Sequence, residues 1–281
     1  MTMTPEAPIS ALVIDDAFRD TITLRERPPQ PGPIAVSLTF GWRALLKIKH
    51  VPEQLFDVTA FPIMTTLMFT YLFGGALAGS TAEYLDFLLP GILAQTIVLI
   101  TMYSGMGMRL DIEKGVFDRF RSTPVWQPGV LVGMLLGDLV RYLLASTMVF
   151  GLGLILGFRP DGGVLGVLAA IGLVLAFAFS LSWVWLLVGL YARTAQSVMG
   201  ISMMVLFPLT FISSVFVDPT TMPDPLEWAV DRNPITFLAD GSRALMQGDP
   251  VGNTVTVVLL SCIGLVAVFG PLTMRRFRTA S

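Results

Sequence analysis

The sequence is poor in charge, in cysteine and in histidine. Only 14% of its 281 residues are Asp, Glu, Lys or Arg, whereas soluble domains carry about 25%. Cys262 is the single cysteine, so no disulfide can form within the chain. With His50 as the single histidine, most cysteine–histidine catalysis and most histidine-built metal sites are excluded. We therefore expect no catalytic site and no metal.

Apolar residues fill the room that charge leaves. They make up 54% of the chain and gather in long runs. About 20 residues at 1.5 Å per residue cross a ~30 Å hydrocarbon layer, and backbone groups in lipid must bond within their own segment. The sequence therefore predicts an all-α integral membrane protein with six transmembrane helices, within residues 58–77, 88–108, 130–158, 164–191, 198–217 and 254–273.

Lysine and arginine in the connections predict the orientation. Of the 18 such residues, fourteen lie before the first helix, after the second and fourth, or after the sixth, and three lie in the other connections. Because positively charged loops stay in the cytoplasm, both termini are predicted to be cytoplasmic. The polar segment "DIEKGVFDRFRSTP", residues 111–124, then faces the cytoplasm.

The segments outside the apolar runs complete the predicted organisation. Residues 1–33 hold acids and prolines without an apolar core, which indicates a disordered cytoplasmic tail and not a signal peptide. Residues 34–52 place Leu38, Trp42 and Leu45 at helical spacing, which favours an interfacial amphipathic helix over an ordinary linker. The further predicted parts are a transmembrane domain 53–276, its cytoplasmic loop 109–128, its outer loop 218–252 with short helices, and a cytoplasmic tail 277–281.

The third apolar run contains two ionisable residues. Asp138 and Arg141 are three positions apart, so one helix face carries both. A charge at membrane depth marks either a functional path or a local ion pair. Because this pair lies toward the predicted cytoplasmic end, where arginine can reach the interface, the sequence favours an intramembrane ion pair with a structural role. A substrate or proton site is the alternative.

The fifth run carries a stripe of methionine and phenylalanine. Met199, Met203, Phe207 and Phe211 are spaced four apart and share one helix face. Methionine is flexible and polarizable, which suits a surface that accepts varied apolar cargo. The stripe is a candidate pathway lining; packing against neighbouring helices or lipid is the alternative.

Two polar motifs, together with the topology, resemble a known family. The cytoplasmic segment holds "EKG" at 113–115 and ends in "RSTP" at 121–124, and the outer loop holds "NP" at 233–234, followed by Arg243 and Gly248. This pattern resembles the membrane subunit of type-2 ATP-binding-cassette exporters, the daunorubicin-resistance-like permeases in particular. The resemblance covers approximately residues 34–276.

The resemblance implies a transport subunit and not an enzyme. This subunit would move a hydrophobic compound (an antibiotic, a drug or a lipid) out across the bacterial plasma membrane. The resemblance implies no cofactor on this chain, because ATP and Mg would be bound by a separate ABC ATPase present in two copies. A second copy or a sister permease would complete the transmembrane part. Membrane lipid and the cargo are the other implied partners, and nucleic acid is not one.

The resemblance also assigns roles to residues. The cytoplasmic segment would form a coupling helix seated in a groove of the ATPase, where mixed charges set register and two phenylalanines act as anchors. Its implied coupling residues are Asp111, Glu113, Lys114, Gly115, Val116, Phe117, Asp118, Arg119, Phe120, Arg121 and Pro124. The outer loop would act as a gate, with Trp228, Asn233, Pro234 and Arg243.

Three other functions stay open at this point. A permease for a polysaccharide or lipid-linked glycan would share the plan, although the apolar stripe favours an apolar cargo. An intramembrane enzyme is disfavoured by the missing catalytic groups. A membrane scaffold that transports nothing is also compatible with the sequence, although the exporter is the favoured interpretation.

Overall fold

The computed structural model describes residues 32, 39, 41–42, 52–77, 79–115 and 127–279, and all regular elements in that part are helical. The all-α class predicted from the sequence is confirmed. The predicted disordered tail lies outside the described residues apart from Gly32, and so does most of the predicted interfacial helix. Of the predicted range 34–52, the structure describes Thr39, Gly41 and Trp42, which have helical backbone, and Pro52, the first residue of the next helix.

The described parts of the chain form ten α-helices of defined bounds, α1 to α10 in chain order. Their bounds are α1 Pro52–Met68, α2 Gly74–Leu77, α3 Thr81–Ile100, α4 Met102–Glu113, α5 Gln127–Leu156, α6 Gly163–Tyr191, α7 Ala195–Phe211, α8 Asp224–Val230, α9 Pro234–Gln247 and α10 Thr254–Thr279. A π-helical turn, Phe69–Phe73, joins α1 to α2, and a 3₁₀ turn, Pro219–Thr221, precedes α8.

Four stretches of the described chain are long and apolar enough to cross a membrane. They are Thr81–Glu113, which joins α3 and α4, and Gly129–Leu156, Gly163–Tyr191 and Thr254–Thr279. Two shorter apolar helices, Ala60–Phe73 and Ala195–Phe211, fall in the first and fifth predicted runs. Four spans are thus supported by length and composition, and the other two stay predictions.

The second predicted span is broken near its middle. Thr101 separates α3 from α4. Its hydroxyl donates to the Val98 carbonyl at 2.6 Å and accepts from the Trp185 indole nitrogen at 2.9 Å. A side chain that bonds into the helix ladder is an established cause of a kink. Thr101 makes that bond from within the helix, and Trp185 of α6 donates to the same hydroxyl at the break.

The fifth predicted span is shorter than expected. We predict a helix to residue 217, but α7 ends at Phe211 after 17 residues, or about 25 Å. The Asn233 side-chain amide donates to the carbonyl of Leu209 at 2.6 Å and also to that of Ile212. These bonds satisfy carbonyls that a helix end leaves open. Residues 212–217 leave the helix, and Ser214 within them bonds Asp240 and Arg243 of α9.

Helix α6 is the centre of the bundle, since α4, α9 and α10 all pack on it. The contact with α4 is close enough to require glycine. A Cβ on Gly105 would lie 2.3 Å from the Trp185 carbonyl oxygen, and one on Gly189 would lie 2.5 Å from the Gly105 carbonyl oxygen. Small residues let helix backbones approach each other in this way.

Three hydrogen-bonded hydroxyl groups connect α4 and α6 to α5. Tyr142 of α5 lies 2.9 Å from Ser104 of α4 and 2.8 Å from Ser182 of α6, oxygen to oxygen. All three side chains are buried. Because each hydroxyl finds a partner, the three helices are joined without an unsatisfied polar group at this point.

Candidate functional site

Arg243 lies at the meeting point of α9, α3 and residues 212–217. Its Nε donates to the Phe87 carbonyl at 3.0 Å, one terminal nitrogen donates to the Asp240 carboxylate at 2.6 Å, and the other donates to the Ser214 carbonyl at 3.0 Å. The guanidinium carbon also lies 3.9 Å from the centre of the Phe87 ring. We call Arg243, Asp240, Ser214 and Asn233 the α9 node.

Burial of this arginine is compensated by the node. Burial lowers the pKa of Arg243, and the charge of Asp240 opposes that shift. Arginine is the most basic side chain and is effectively always protonated in proteins, so its burial needs a compensating partner. The Ser214 hydroxyl donates to the same Asp240 oxygen at 2.7 Å. The ion pair is therefore also hydrogen-bonded, which is the condition under which a buried charge is tolerated.

Pro90 explains why α9 binds α3 where it does. Pro90 lies inside α3 and has no backbone N–H, so the carbonyl four residues earlier, that of Asp86, loses its helical partner. The Gln247 side chain of α9 donates to this carbonyl at 3.1 Å. Arg243 donates to the next carbonyl, that of Phe87. Two α9 side chains thus serve the helix turn that the proline opens.

Asn233 and Pro234 begin α9. The Asn233 side-chain oxygen accepts from the Ile235 backbone nitrogen at 2.9 Å, and Pro234 occupies the first helical position. Both are favoured at a helix N-terminus. Because the Asn233 amide also bonds the last turn of α7, one side chain starts one helix and closes another.

Trp228 does not join the α9 node. Its side chain is 61% exposed, and the Arg232 guanidinium lies 4.4 Å from the centre of its ring. The four residues assigned to the outer loop therefore divide in two. Asn233 and Pro234 begin α9 and Arg243 lies further along the same helix, whereas Trp228 lies apart on the surface of α8.

A cavity of about 420 Å³ opens between α1, the α3–α4 break and α7. Two members of the fifth-run stripe, Met199 and Met203, line it. Two of the other lining residues, Thr96 and Tyr103, carry a polar group. The rest are apolar: Ala60, Phe61, Pro62, Met64, Leu99, Ile100 and Met102. This composition resembles a small-molecule pocket, which is lined by apolar groups and a few polar ones.

The phenylalanines of the stripe lie elsewhere. Phe207 and Phe211 have ring centres 4.4 Å apart, and Phe211 lies 5.3 Å from Phe216. Phe216 in turn stacks on Phe69 at 4.4 Å. The stripe is therefore divided. Its methionines line the cavity, and its phenylalanines form a row of rings between the end of α7 and the π-helical turn.

Asp138 and Arg141 form an ion pair on α5, with 3.1 Å between nitrogen and oxygen. The Arg141 guanidinium lies 5.9 Å from the ring centre of Tyr103, which lines the cavity. Among the described residues, Nε and one terminal nitrogen of Arg141 have no hydrogen-bond partner. The pair therefore lies behind Tyr103, next to the cavity, but neither of its residues lines the cavity.

The start of the coupling segment is described, and the rest is not. Asp111 is buried and Lys114 is exposed, while Gly115 has a φ of +64° and ends the turn after α4. A positive φ of this size favours glycine. The remaining coupling residues lie outside the described residues: Val116, Phe117, Asp118, Arg119, Phe120, Arg121 and Pro124.

Glu113 contacts a second helix. One carboxylate oxygen accepts from the backbone nitrogen of Ala195, the first residue of α7, at 3.2 Å. The same oxygen accepts from Nε of Arg109 at 3.2 Å. The end of α4 and the start of α7 are therefore bonded through one side chain.

Sequence reasoning missed several partners. These are Asp240 and Ser214, which bond Arg243 in the α9 node, and Tyr103 and Thr96, which line the cavity. A local signal existed for Asp240, which is three positions before Arg243 on one helix face. Pro90 was another signal, because a proline within an apolar run frees a carbonyl that must find a donor. Ser214 and the cavity residues have no such local signal.

The described residues belong to a helical membrane protein with a largely apolar cavity beside a broken helix and a polar turn at the end of α4. A model of the ABC-2 type transporter family matches residues 37–246. The chain therefore belongs to the ABC-2 type transporter family. Members are integral membrane proteins, and this chain is a multi-pass protein of the inner membrane.

Individual relatives agree with that assignment. The chain is 47% identical over 278 residues to the daunorubicin resistance ABC transporter permease protein DrrB1 of Streptomyces coeruleorubidus, covering 99% of this chain and 98% of that protein. It is 25% identical over 220 residues to the inner membrane transport permease YadH of Escherichia coli K12, covering 74% and 80%. It is 23% identical over 154 residues to the probable doxorubicin resistance ABC transporter permease protein DrrC of Mycobacterium tuberculosis H37Rv, covering 55% of each.

Proposed function

We propose that this chain is the transmembrane subunit of an ATP-driven exporter for hydrophobic aromatic drugs. The observation that carries the proposal is the cavity between α1, α3–α4 and α7, lined by Met199 and Met203. Methionine sulfur makes favourable contacts with aromatic rings, and its flexible side chain adapts to different shapes. Two relatives are named for resistance to daunorubicin and to doxorubicin, which supports the same class of cargo.

The proposal includes six spans with both termini in the cytoplasm. The two shorter apolar helices, Ala60–Phe73 and Ala195–Phe211, supply the first and fifth spans. The charge distribution over the connections supports this orientation. With it, α4 and the segment after it face the cytoplasm, and α8 and α9 lie at the outer side.

ATP hydrolysis belongs to a partner in this proposal. The part of the coupling segment beyond α4, from Lys114 to Pro124, docks in a groove of an ABC ATPase, of which two copies bind ATP and Mg. Its mixture of charges and phenylalanines suits a protein interface, where apolar anchors carry much of the binding energy. The chain completes its transmembrane part with a second copy or a sister permease.

We assign the α9 node to the outer gate and the Asp138–Arg141 pair to structure. Arg243 and Asn233 hold residues 212–217 against α3 through buried bonds, which suits a closed outer end. For the pair, a single substitution Asp138→Asn leaves Arg141 unpaired near lipid, which costs more than reversing both charges. Loss of export by Asp138→Asn at normal expression would show a transport role instead.

Transport by the purified complex tests the proposal. The permease and its ABC ATPase are reconstituted in vesicles, and ATP-dependent accumulation of fluorescent daunorubicin is measured. We expect accumulation that requires both subunits and ATP. Stimulation of ATP turnover by a lipid-linked glycan, with no response to daunorubicin, would support the glycan alternative. Absence of any stimulated turnover or transport would support the scaffold.

Two adjacent methionines test the cavity itself. Met203 lines the cavity, whereas Met204 is 81% exposed and does not. Met203→Trp fills the space that the cargo needs, so it should lower daunorubicin transport severalfold at normal expression. Met204→Trp is the matched control and should transport as the parent does. Equal behaviour of the two variants would remove the cavity from the mechanism.

A further inference from the structure

The hydrogen bond between Glu113 and Ala195 connects the end of α4, where the coupling segment follows, to α7, which lines the cavity. Glu113 is the last residue of α4, and the coupling segment begins directly beyond it. Ala195 is the first residue of α7, the helix that carries Met199 and Met203 one and two turns later. The carboxylate therefore lies between the segment that meets the ATPase and the helix that lines the cavity.

The electrostatics at this point favour a carboxylate. The first backbone N–H groups of a helix have no partner within the helix, and the helix dipole makes that end positive. Thr194 serves one of these groups, since its hydroxyl oxygen accepts from the Ser197 nitrogen at 3.1 Å. Glu113 serves another, that of Ala195. Ala195 is only 2% exposed, so loss of the carboxylate would leave a buried donor unsatisfied.

The second partner of Glu113 cannot perform this linkage. Arg109 is four residues earlier on α4, so its ion pair with Glu113 stays within one helix. Partly exposed pairs of this kind contribute little to stability. The bond that crosses between helices is the one to Ala195. Helices α4 and α7 also pack on each other, so a shift at the end of α4 meets α7 directly.

We propose that Glu113 is a positioning residue that transmits movement of the coupling segment to α7, by capping its N-terminus. This inference rests on the proposed function, because it needs the segment to follow the ATPase. When the segment moves, the capped end of α7 moves with it, and Met199 and Met203 change position in the cavity wall. Glu113 thus links ATP turnover to cargo without contacting either.

A double-mutant cycle tests the link. Glu113→Ala removes the acceptor, and Ala195→Pro removes the donor. Proline is favoured at the first helical position, and Thr194 before it has the extended backbone (φ −138°, ψ 157°) that a following proline requires. Each variant is purified with the ABC ATPase, and ATP turnover is measured with and without daunorubicin.

We expect both variants to co-purify with the ATPase. In each, the stimulation of ATP turnover by daunorubicin should fall at least about fivefold, which is the lower end of the usual coupling between two sites. The double variant should lose no more than either single one, because both changes break the same bond. Glu113→Gln keeps an acceptor oxygen in place and should recover at least half of the stimulation. Arg109→Gln, which breaks only the ion pair, should behave as the parent does.

Three results would overturn the link. The first is loss of co-purification in Glu113→Ala, which would place the carboxylate in the ATPase groove. The others are additive losses in the double variant and no recovery of stimulation in Glu113→Gln. If Ala195→Pro does not fold, the comparison of Glu113→Gln with Glu113→Ala tests the link alone. Phe117→Asp separates this inference from the proposed function. If Phe117→Asp co-purifies normally, docking by the segment is wrong, whereas the cycle still reports on the Glu113–Ala195 bond.

Discussion

At its C-terminal end, α7 is held by buried groups from another helix, whereas at its N-terminal end it is held by its own cap and one partly exposed carboxylate. Asn233 donates to two carbonyls of the last turn, and Arg243 donates to Ser214 just beyond it. At the other end, Thr194 caps its own helix and Glu113, with its side chain 35% exposed, adds one bond of 3.2 Å.

The difference separates a fixed end from an adjustable one. Hydrogen bonds between buried groups contribute more than hydrogen bonds whose partner is shared with solvent. We infer that the α9 node sets where α7 ends, and that the Glu113 end is the one that can follow the cytoplasmic segment. Substitutions at the C-terminal end of α7 should therefore cost more stability than substitutions at its N-terminal end.

Arg243→Ala should cause the largest loss. It removes donors to two carbonyls and the partner of Asp240, so we expect about 3 kcal/mol of stability to be lost. Thermal unfolding of the purified protein in detergent measures this. Arg232→Ala is the matched control, because Arg232 lies over the exposed Trp228 ring, and it should cost under about 1 kcal/mol. Similar losses for the two arginines would contradict a special role for the node.

Asn233→Ala should cost about 2 kcal/mol, because it removes both the cap of α9 and the donors to α7. Asn233→Ser separates these two roles. Serine can still cap α9 but cannot reach the carbonyls of Leu209 and Ile212. We expect the serine variant to recover only part of the loss in thermal stability. Complete recovery would mean that the end of α7 does not depend on Asn233.

Thr194→Ala should cost about 1 kcal/mol, the usual value for loss of an N-cap. Thr194→Ser keeps the hydroxyl that accepts from Ser197 and should have nearly the stability of the parent. The same unfolding assay serves for both. A loss as large as that of Arg243→Ala would reverse the proposed order of the two ends.

Asp218 gives the smallest effect, and it depends on pH. Hydrogen bonds from the Thr220 hydroxyl and backbone nitrogen lower the pKa of Asp218. The folded pKa therefore lies below the unfolded value of about 4. Its contribution is full above about pH 4 and is lost as pH falls through the folded pKa. Asp218→Asn should remove this part of the acid dependence of the melting temperature, and an unchanged profile would contradict it.

Part of the candidate site was readable from the sequence because the signals are local. Asn233 followed by Pro234 is the usual start of a helix, and the two residues do begin α9. The four-residue spacing placed Met199 and Met203 on one face of a helix, and both line the cavity. What spacing could not decide is which part of a face meets a cavity and which meets other rings, and so it did not separate Phe207 from Met203.

The sequence by itself determined the all-α membrane class, because hydrophobic length and the need to satisfy the backbone in lipid act segment by segment. Only the tertiary structure decided where α7 ends, how the carbonyl opened by Pro90 is satisfied, and that Glu113 bonds Ala195. Each of these joins residues far apart in the chain. Their partners are selected by packing around α6, and no local pattern carries that information.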